Sequence, residues 1–390
     1  MPIINRFAEL HDEITQWRRQ IHQNPELLFD VEQTAGFVAD KLREFGLDEV
    51  VTGIGRTGVV GVIKGRDSGS GRVIGLRADM DALPIHEDTG LEYASKVDGK
   101  MHACGHDGHT AMLLGAAKYL SETRNFDGSA VVIFQPAEEG GGGGREMVEE
   151  GMMDRFGIQE VYGLHNWPGV PVGDFATRPG ALMAATDLFS IEITGSGGHA
   201  AKPHETIDPI VVGSHIVLAL QSIASRNIDP VESVVVSVTT CNAGTAFNVI
   251  PETAKLTGTV RTLSEAVRNQ TQTRIQEIVE YTAKALGATA KVDYQRNYPV
   301  VVNHEKETAF AADIASEISG EQRVNTNANP TMGGEDFAYM LNARPGSFIF
   351  LGNGDTAPVH HPKYNFNDEI IPVGCSYWAR LVETAMPANR

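Results

Sequence analysis

Cysteine, long apolar runs and positive charge are all scarce in this sequence, and each shortage removes a class of protein. The 390 residues hold three cysteines, Cys104, Cys241 and Cys375, too few and too far apart for a disulfide framework. A cysteine here is therefore core or chemistry. No uninterrupted apolar stretch is long enough to span a bilayer, and the opening segment MPIINRFAELHDEITQWRRQ lacks the apolar core of a secretory signal. The expected compartment is the cytoplasm. Lysine and arginine number 32 against 50 aspartates and glutamates, a formal net charge of -18 with no basic block to offset it. That balance opposes binding to nucleic acid or to an anionic membrane surface. An anionic substrate would need positive charge concentrated at its site.

What is present suffices for a well-buried core, since 42% of residues are hydrophobic, and the length suggests two domains. Phe7, Leu10, Ile14, Trp17 and Ile21 recur at helical spacing until Asn24-Pro25, which predicts an amphipathic first helix. A second helix is predicted over VEQTAGFVADKLREFG. The rhythm then changes to short apolar runs, VVGVI, RVIGL, AVVIF, VYGL and later SFIFL, with helical stretches between or after them. This alternation predicts an α/β catalytic domain with a mostly parallel central sheet. The segment from Asp187 to Pro299 reads strand, helix, strand, strand, helix, strand, a ferredoxin-like βαββαβ unit. The expected architecture is a discontinuous domain, 1–184 and 300–390, interrupted by an inserted domain, 185–299.

Open α/β sheets place ligands beyond the carboxyl ends of their strands. RVIGL runs into Asp79 and Asp81, AVVIFQP into Glu138 and Glu139, VYGL into His165, and SFIFLGNG leads to His360 or His361. MHACGHDGHT, which supplies His102, Cys104, His106, Asp107 and His109, precedes a helix returning from the same edge. Imidazole, carboxylate and thiolate are the ligands of zinc and its first-row neighbours, and so many anionic groups could not gather unneutralised. Two metal ions account for the convergence better than a single-nucleophile scheme. Taken alone, the opening stretch could instead cap a helix and bury Cys104. The pair Glu138-Glu139 suggests divided labour, one carboxylate on metal and the other taking a proton from water, although the five glycines that follow would also suit an exposed acidic turn. GIGRTG at 53–58 has dinucleotide-fingerprint spacing but leads into a strand, so it is expected to be a turn; GGGGG lacks the Lys-Ser/Thr ending of a phosphate loop. Cys241 and Cys375 are expected in the core. His11, His22, His204, His215 and His304 are left structural.

The segments RRQIHQNPEL, RADMDALP, MHACGHDGHT, QPAEEGGGG, GLHNWP, GSGGHAAKPHETIDPI, FNVIPETAKLTGTVRT, MGGEDFAYM and VHHPKYNFND occur in this order over nearly the whole chain. In them the chain resembles the hippurate hydrolase, N-acyl-amino-acid amidohydrolase and auxin-conjugate hydrolase branch of the metal-dependent aminoacylase and carboxypeptidase superfamily. The resemblance implies a dinuclear site with Cys104, His106, Glu139, His165 and His360 as ligands, Cys104 as the bridge and Glu138 as general base. Asp79 is doubtful as a ligand; Asp81 would orient the site. The inserted domain resembles the family's lid and dimerisation domain, which implies a homodimer or higher homo-oligomer. There His199 matches an oxyanion-stabilising residue, and Asn248 and Arg261 match groups that hold a substrate carboxylate. The implied activity is hydrolysis of the amide bond of an N-acyl amino acid, with zinc, manganese, cobalt or nickel as the pair of divalent ions. The alternatives are a metallo-exopeptidase or dipeptidase on the same scaffold, a thiol amidase using Cys104 with His106 or His109, and a non-catalytic metal- or peptide-binding protein.

Overall fold

The computed structural model describes residues 3–66 and 69–388. In chain order the first elements are α1 (Asn5–Gln23), α2 (Glu32–Glu44), β1 (Glu49–Ile54), β2 (Gly58–Lys64), β3 (Val73–Asp79), α3 (His106–Thr123), β4 (Ser129–Gln135) and β5 (Glu160–Pro168). They are followed by β6 (Ala185–Thr194), α4 (Pro209–Ser222), β7 (Val234–Ala243), β8 (Thr253–Thr262), α5 (Glu265–Ala285) and β9 (Thr289–Arg296). The chain closes with α6 (Glu305–Ser319), β10 (Gly346–Gly354) and α7 (Ile371–Ala385). Its contacts divide it into two compact units: Met1–Leu182 with Val302–Asn329 and Asp336–Arg390, and Met183–Val301 with Pro330–Glu335.

The first unit is built on an eight-stranded sheet ordered β1-β2-β4-β3-β5-β10, followed by the short strands Phe175–Ala176 and Val324–Asn325. Its centre, β4-β3-β5-β10, is parallel, while β1-β2-β4 run antiparallel at one side. The strands of that centre are buried nearly throughout, as their continuous apolar runs require of a sheet covered on both faces. All five residues of the predicted apolar stripe of α1 are buried, and the helix stops at Gln23, before Asn24-Pro25. Helix α3 is buried over nearly its whole length, so its apolar residues run all the way round. Gly105, just before it, has a φ of 92° that only glycine adopts readily, and this sharp entry puts His106 in the first turn of α3. Gly55 and Arg56, between β1 and β2, have positive φ, as does Gly53 at the irregularity near the end of β1, so GIGRTG makes a hairpin turn. The glycine run is not merely a pliable loop. Gly143 opens a helix, and a Cβ there would fall 1.8 Å from the Pro136 carbonyl oxygen.

The second unit has one antiparallel four-stranded sheet, ordered β7-β8-β6-β9, with α4 and α5 supplying the other half of its core. Ile191, Ile193, Leu256 and Val260 from the strands meet Val212, Ile216, Leu220, Ile275 and Val279 from the helices. The stretch Pro209–Asn227, α4 with its final turn, is long and apolar enough by length and composition to cross a membrane. Here Val212, Ile216, Leu220 and Ile223 are buried in the unit's own core. Cys375 is buried as expected, but Cys241 is exposed, against the sequence-based expectation. It lies on the edge strand β7 opposite the buried Leu256, so its edge position rather than strand alternation leaves it exposed.

Candidate metal centre

The central strands of the first unit end on one rim, and the turn from Cys104 to His106 lies there. Asn166 donates from Nδ2 to the Cys104 carbonyl at 2.7 Å, while the His360 N–H bonds the Ala103 carbonyl at 2.7 Å. His165 is inside β5 rather than beyond its end. Its Nδ1 lies 2.5 Å from the Asn166 carbonyl, which can only accept, so Nδ1 carries the proton and Nε2 points to the Cys104 Sγ at 3.3 Å.

The turn after β4 brings in the paired carboxylates. Ala137 is a non-glycine residue at φ 54°, and the two N–H groups that follow, of Glu138 and Glu139, are both accepted by Asp81, at 2.9 and 3.1 Å. One buried carboxylate thus holds the strained turn from below and also faces His106 Nδ1 at 3.4 Å. Glu139 Oε1 lies 3.2 Å from His360 Nε2 and 3.9 Å from His106 Nε2. His360 is itself held at φ 65°, which turns its half-exposed ring back over the rim.

Among the described residues, the groups of donor atoms lying within 4.8 Å of one another include Cys104, His106 and His165; Cys104, Glu139 and His360; and His106, Glu138 and Glu139. Cys104 belongs to two of them. A fourth group, Asp79, His106 and His109, is differently committed. Asp79 is bonded by His109 Nδ1 at 2.6 Å through one oxygen and by Arg77 at 2.7 Å through the other.

The electrostatics describe a site with more negative charge than its residues can carry alone. Burial would hold His106 neutral, yet Asp79, Asp81 and Glu139 together raise its pKa to about 10. The Cys104 thiol is driven well above its usual value by burial and then by Glu139, Glu138 and Asp79. His165 is driven well below its ordinary value by burial and by His109 and His106, which keeps its ring in the neutral, metal-binding form. Both ring nitrogens of His106 and Oε1 of Glu139 are buried without a well-aligned hydrogen bond among the described residues, although Asp81 and His360 lie within ion-pair reach of them. Unsatisfied buried groups of this kind are costly, and a divalent cation is what satisfies a thiol, imidazoles and carboxylates together. The donor set fits a metal.

The five expected ligands and Glu138 are therefore brought to one rim. In the second unit, His199 and Val249 pair across a two-residue ribbon, and the Asn248 carbonyl accepts from the Ala200 N–H at 3.1 Å, so His199 and Asn248 are neighbours. Arg261 is on β8, half-buried, with its guanidinium donating to Thr259 Oγ1 and to the Val260 carbonyl. Sequence reasoning left several participants unassigned. Asn166, Tyr364 and Asp336 are polar residues inside quoted motifs whose partners are remote in sequence; Asp336 accepts from Gly144 N–H at 2.8 Å and from Gln135 at 2.7 Å. His22, left structural, is buried with Nδ1 on Asp107 at 2.8 Å.

A sheet rim carrying a thiol, three imidazoles and paired glutamates belongs to the class of metal-dependent hydrolases. Residues 75–384 match the family model described as peptidase family M20/M25/M40, and the chain belongs to that family. It is 44% identical over 381 residues to a hippurate hydrolase of Campylobacter jejuni, covering 98% of each chain. It is 42% identical over 387 residues to a thermostable carboxypeptidase of Saccharolobus solfataricus, covering 97% of this chain and 96% of that one. A solved Bacillus subtilis structure, described as a dinuclear metal binding peptidase from the M20 family, superimposes with a TM-score of 0.85 at 36% identity, covering 97% of this chain and 99% of the other.

Proposed function

We propose that this protein hydrolyses the amide bond of N-acyl amino acids, releasing a carboxylate and a free amino acid, with two divalent ions held by Cys104, His106, Glu139, His165 and His360. The observation that carries the reading is the sharing of Cys104 between two donor groups, one with His106 and His165 and one with Glu139 and His360. Bound there, the ions would supply Lewis-acid activation of the attacking water and of the amide carbonyl. Glu138 takes the proton from water and returns it to the leaving nitrogen, for which its place beside Glu139, on a turn fixed by Asp81, is suited. The motif GSGGHAAKPHETIDPI supports His199 as the oxyanion donor, and FNVIPETAKLTGTVRT supports Asn248 and Arg261 as the grip on the substrate carboxylate. Asp81 is a positioning residue.

Zinc, manganese, cobalt and nickel all suit a mixed sulfur, nitrogen and oxygen set. We place the protein in the cytoplasm, where a reducing environment keeps Cys104 available, and as a homodimer or higher homo-oligomer through the second unit, whose α4 exposes Ile210, Val211 and Leu218. The similarity to a carboxypeptidase favours a second reading, an exopeptidase, because the last residue of a peptide is chemically an N-acyl amino acid. Protein reconstituted with each metal and assayed on N-benzoyl, N-acetyl and indoleacetyl amino acids beside dipeptides separates the two. Turnover of the first group is expected; binding of metal with no turnover of either group would end the proposal.

A further inference from the structure

Asn166, between His165 and Trp167, bonds three other segments of the chain. Its Nδ2 donates to the Cys104 carbonyl at 2.7 Å and approaches His109 Nε2 at 3.0 Å, its backbone N–H donates to the same Nε2 at 2.9 Å, and its Oδ1 accepts from Tyr364 Oη at 2.6 Å. His109 in turn reaches Asp79 at 2.6 Å, and Asp79 reaches Arg77 at 2.7 Å. Asn166, His109, Asp79 and Tyr364 are all buried.

The protons along this chain have one consistent arrangement. The Cys104 carbonyl can only accept, so the amide of Asn166 must present its NH2 to it and its oxygen to Tyr364, which therefore donates. The backbone N–H of Asn166 can only donate, so His109 Nε2 accepts and its proton resides on Nδ1, facing Asp79. Burial opposes ionisation of Asp79, but His106, Arg77 and His109 hold its pKa well below the usual carboxylate range. His109 thus has no ring nitrogen left for a metal, although it stands three residues from His106.

We infer that Asn166, locked by Tyr364, is a positioning residue that ties the segments carrying Cys104, His165 and His360 into one preformed metal-binding shape. Tyr364 lies four residues after His360, and its N–H bonds the His361 carbonyl at 2.9 Å, so its phenol links the His360 loop to the end of β5. From there the Asn166 side chain links β5 to the Cys104–His106 turn. The packing at this point leaves no slack: a Cβ on Gly105 would lie 2.3 Å from Asn166 Nδ2 and 2.5 Å from Tyr364 Oη. Outer partners that orient metal ligands commonly change metal affinity by about 10- to 100-fold when removed.

The inference rests on the metal reading of the proposed function, and the test separates the two. Cobalt(II) affinity is measured by competition with a chromophoric chelator, together with the thiolate-to-cobalt absorption band and kcat and KM for N-benzoylglycine, on wild type, Tyr364→Phe, Asn166→Asp and the control Tyr377→Phe. Tyr377 is a buried tyrosine whose hydroxyl has no hydrogen-bond partner among the described residues. Folded Tyr364→Phe is expected to bind cobalt about tenfold or more weakly, with an altered band and a lower kcat at nearly constant KM, while Tyr377→Phe matches wild type. Asn166→Asp, which puts an acceptor against the Cys104 carbonyl, is expected to lose more; if it does not fold, Tyr364→Phe alone decides. Wild-type affinity and spectrum in folded Tyr364→Phe, or an equal loss in Tyr377→Phe, would overturn the positioning role and leave the proposed function standing. A wild-type protein that binds no cobalt would overturn both.

Discussion

The metal rim of the first unit and the His199 ribbon of the second are built on opposite plans. At the rim Cys104, His106, His165 and Glu138 are buried, and the turns that carry the donors are fixed by a second layer of hydrogen bonds: Asp81 under the Glu138–Glu139 turn, and Asn166 under the Cys104 turn. His199 is exposed, on a two-residue ribbon, with Nδ1 accepting from the nearby Ala201 N–H at 3.1 Å. Groups that hold cations must be placed before the cations arrive, because flexible ligands lose entropy on binding. Groups that serve a transient oxyanion or a passing carboxylate act only when substrate is present. On the function proposed above, metal affinity belongs to the first unit and discrimination between ground and transition state to the second.

The largest expected effect breaks the first side of that comparison. Chelation of the metals should abolish hydrolysis, a loss of about a thousandfold or more, and added zinc, manganese, cobalt or nickel should restore it. Activity that survives rigorous chelation would return Cys104 to consideration as a nucleophile. Glu138→Gln should lower kcat by about 100- to 10,000-fold with metal content unchanged by elemental analysis. On the other side, His199→Ala should cost about 100- to 1,000-fold in kcat, again with unaltered metal affinity, whereas a drop in bound metal would collapse the division between the units. Arg261→Lys should raise KM by about tenfold with little effect on kcat, since an ammonium cannot form the paired bonds of a guanidinium to a carboxylate.

The smallest effect concerns stability. Burial disfavours the charged form of His22, but Asp107 and Glu87 raise its pKa to about 9 from 6.5. A histidine raised on folding contributes stability that is complete below pH 6.5 and is lost as pH climbs through about 9. Metal-free protein should therefore melt a few degrees lower at pH 9 than at pH 6.5, and His22→Gln should flatten that slope in calorimetry.

Much of this was legible because it is local. The period of α1, the apolar runs of β3, β4 and β5, and the bounds of β8, 253–262, follow from side-chain spacing within a few residues. The motif residues Cys104, His106, Glu138, Glu139 and His165 stood out by chemical type at the ends of expected strands. Asn166 and Tyr364 did not, since an asparagine and a tyrosine carry no signal until their partners, up to 198 residues away, are known. Cys241 was misplaced for a related reason: a strand pattern does not say whether the strand lies at a sheet edge.

Composition and motif order by themselves determined the class of chemistry, because only a few side chains bind divalent metals and this chain repeats them at strand ends. Tertiary structure alone decided which of those side chains stand together as candidate donors and which hold each other. His106 and His109 are three residues apart on one helix, yet the first has no well-aligned hydrogen bond to either ring nitrogen among the described residues and the second has both engaged, by Asp79 and Asn166. The reason is that a hydrogen bond depends on two atoms meeting at about 3 Å, and folding, not spacing along the chain, sets which atoms meet.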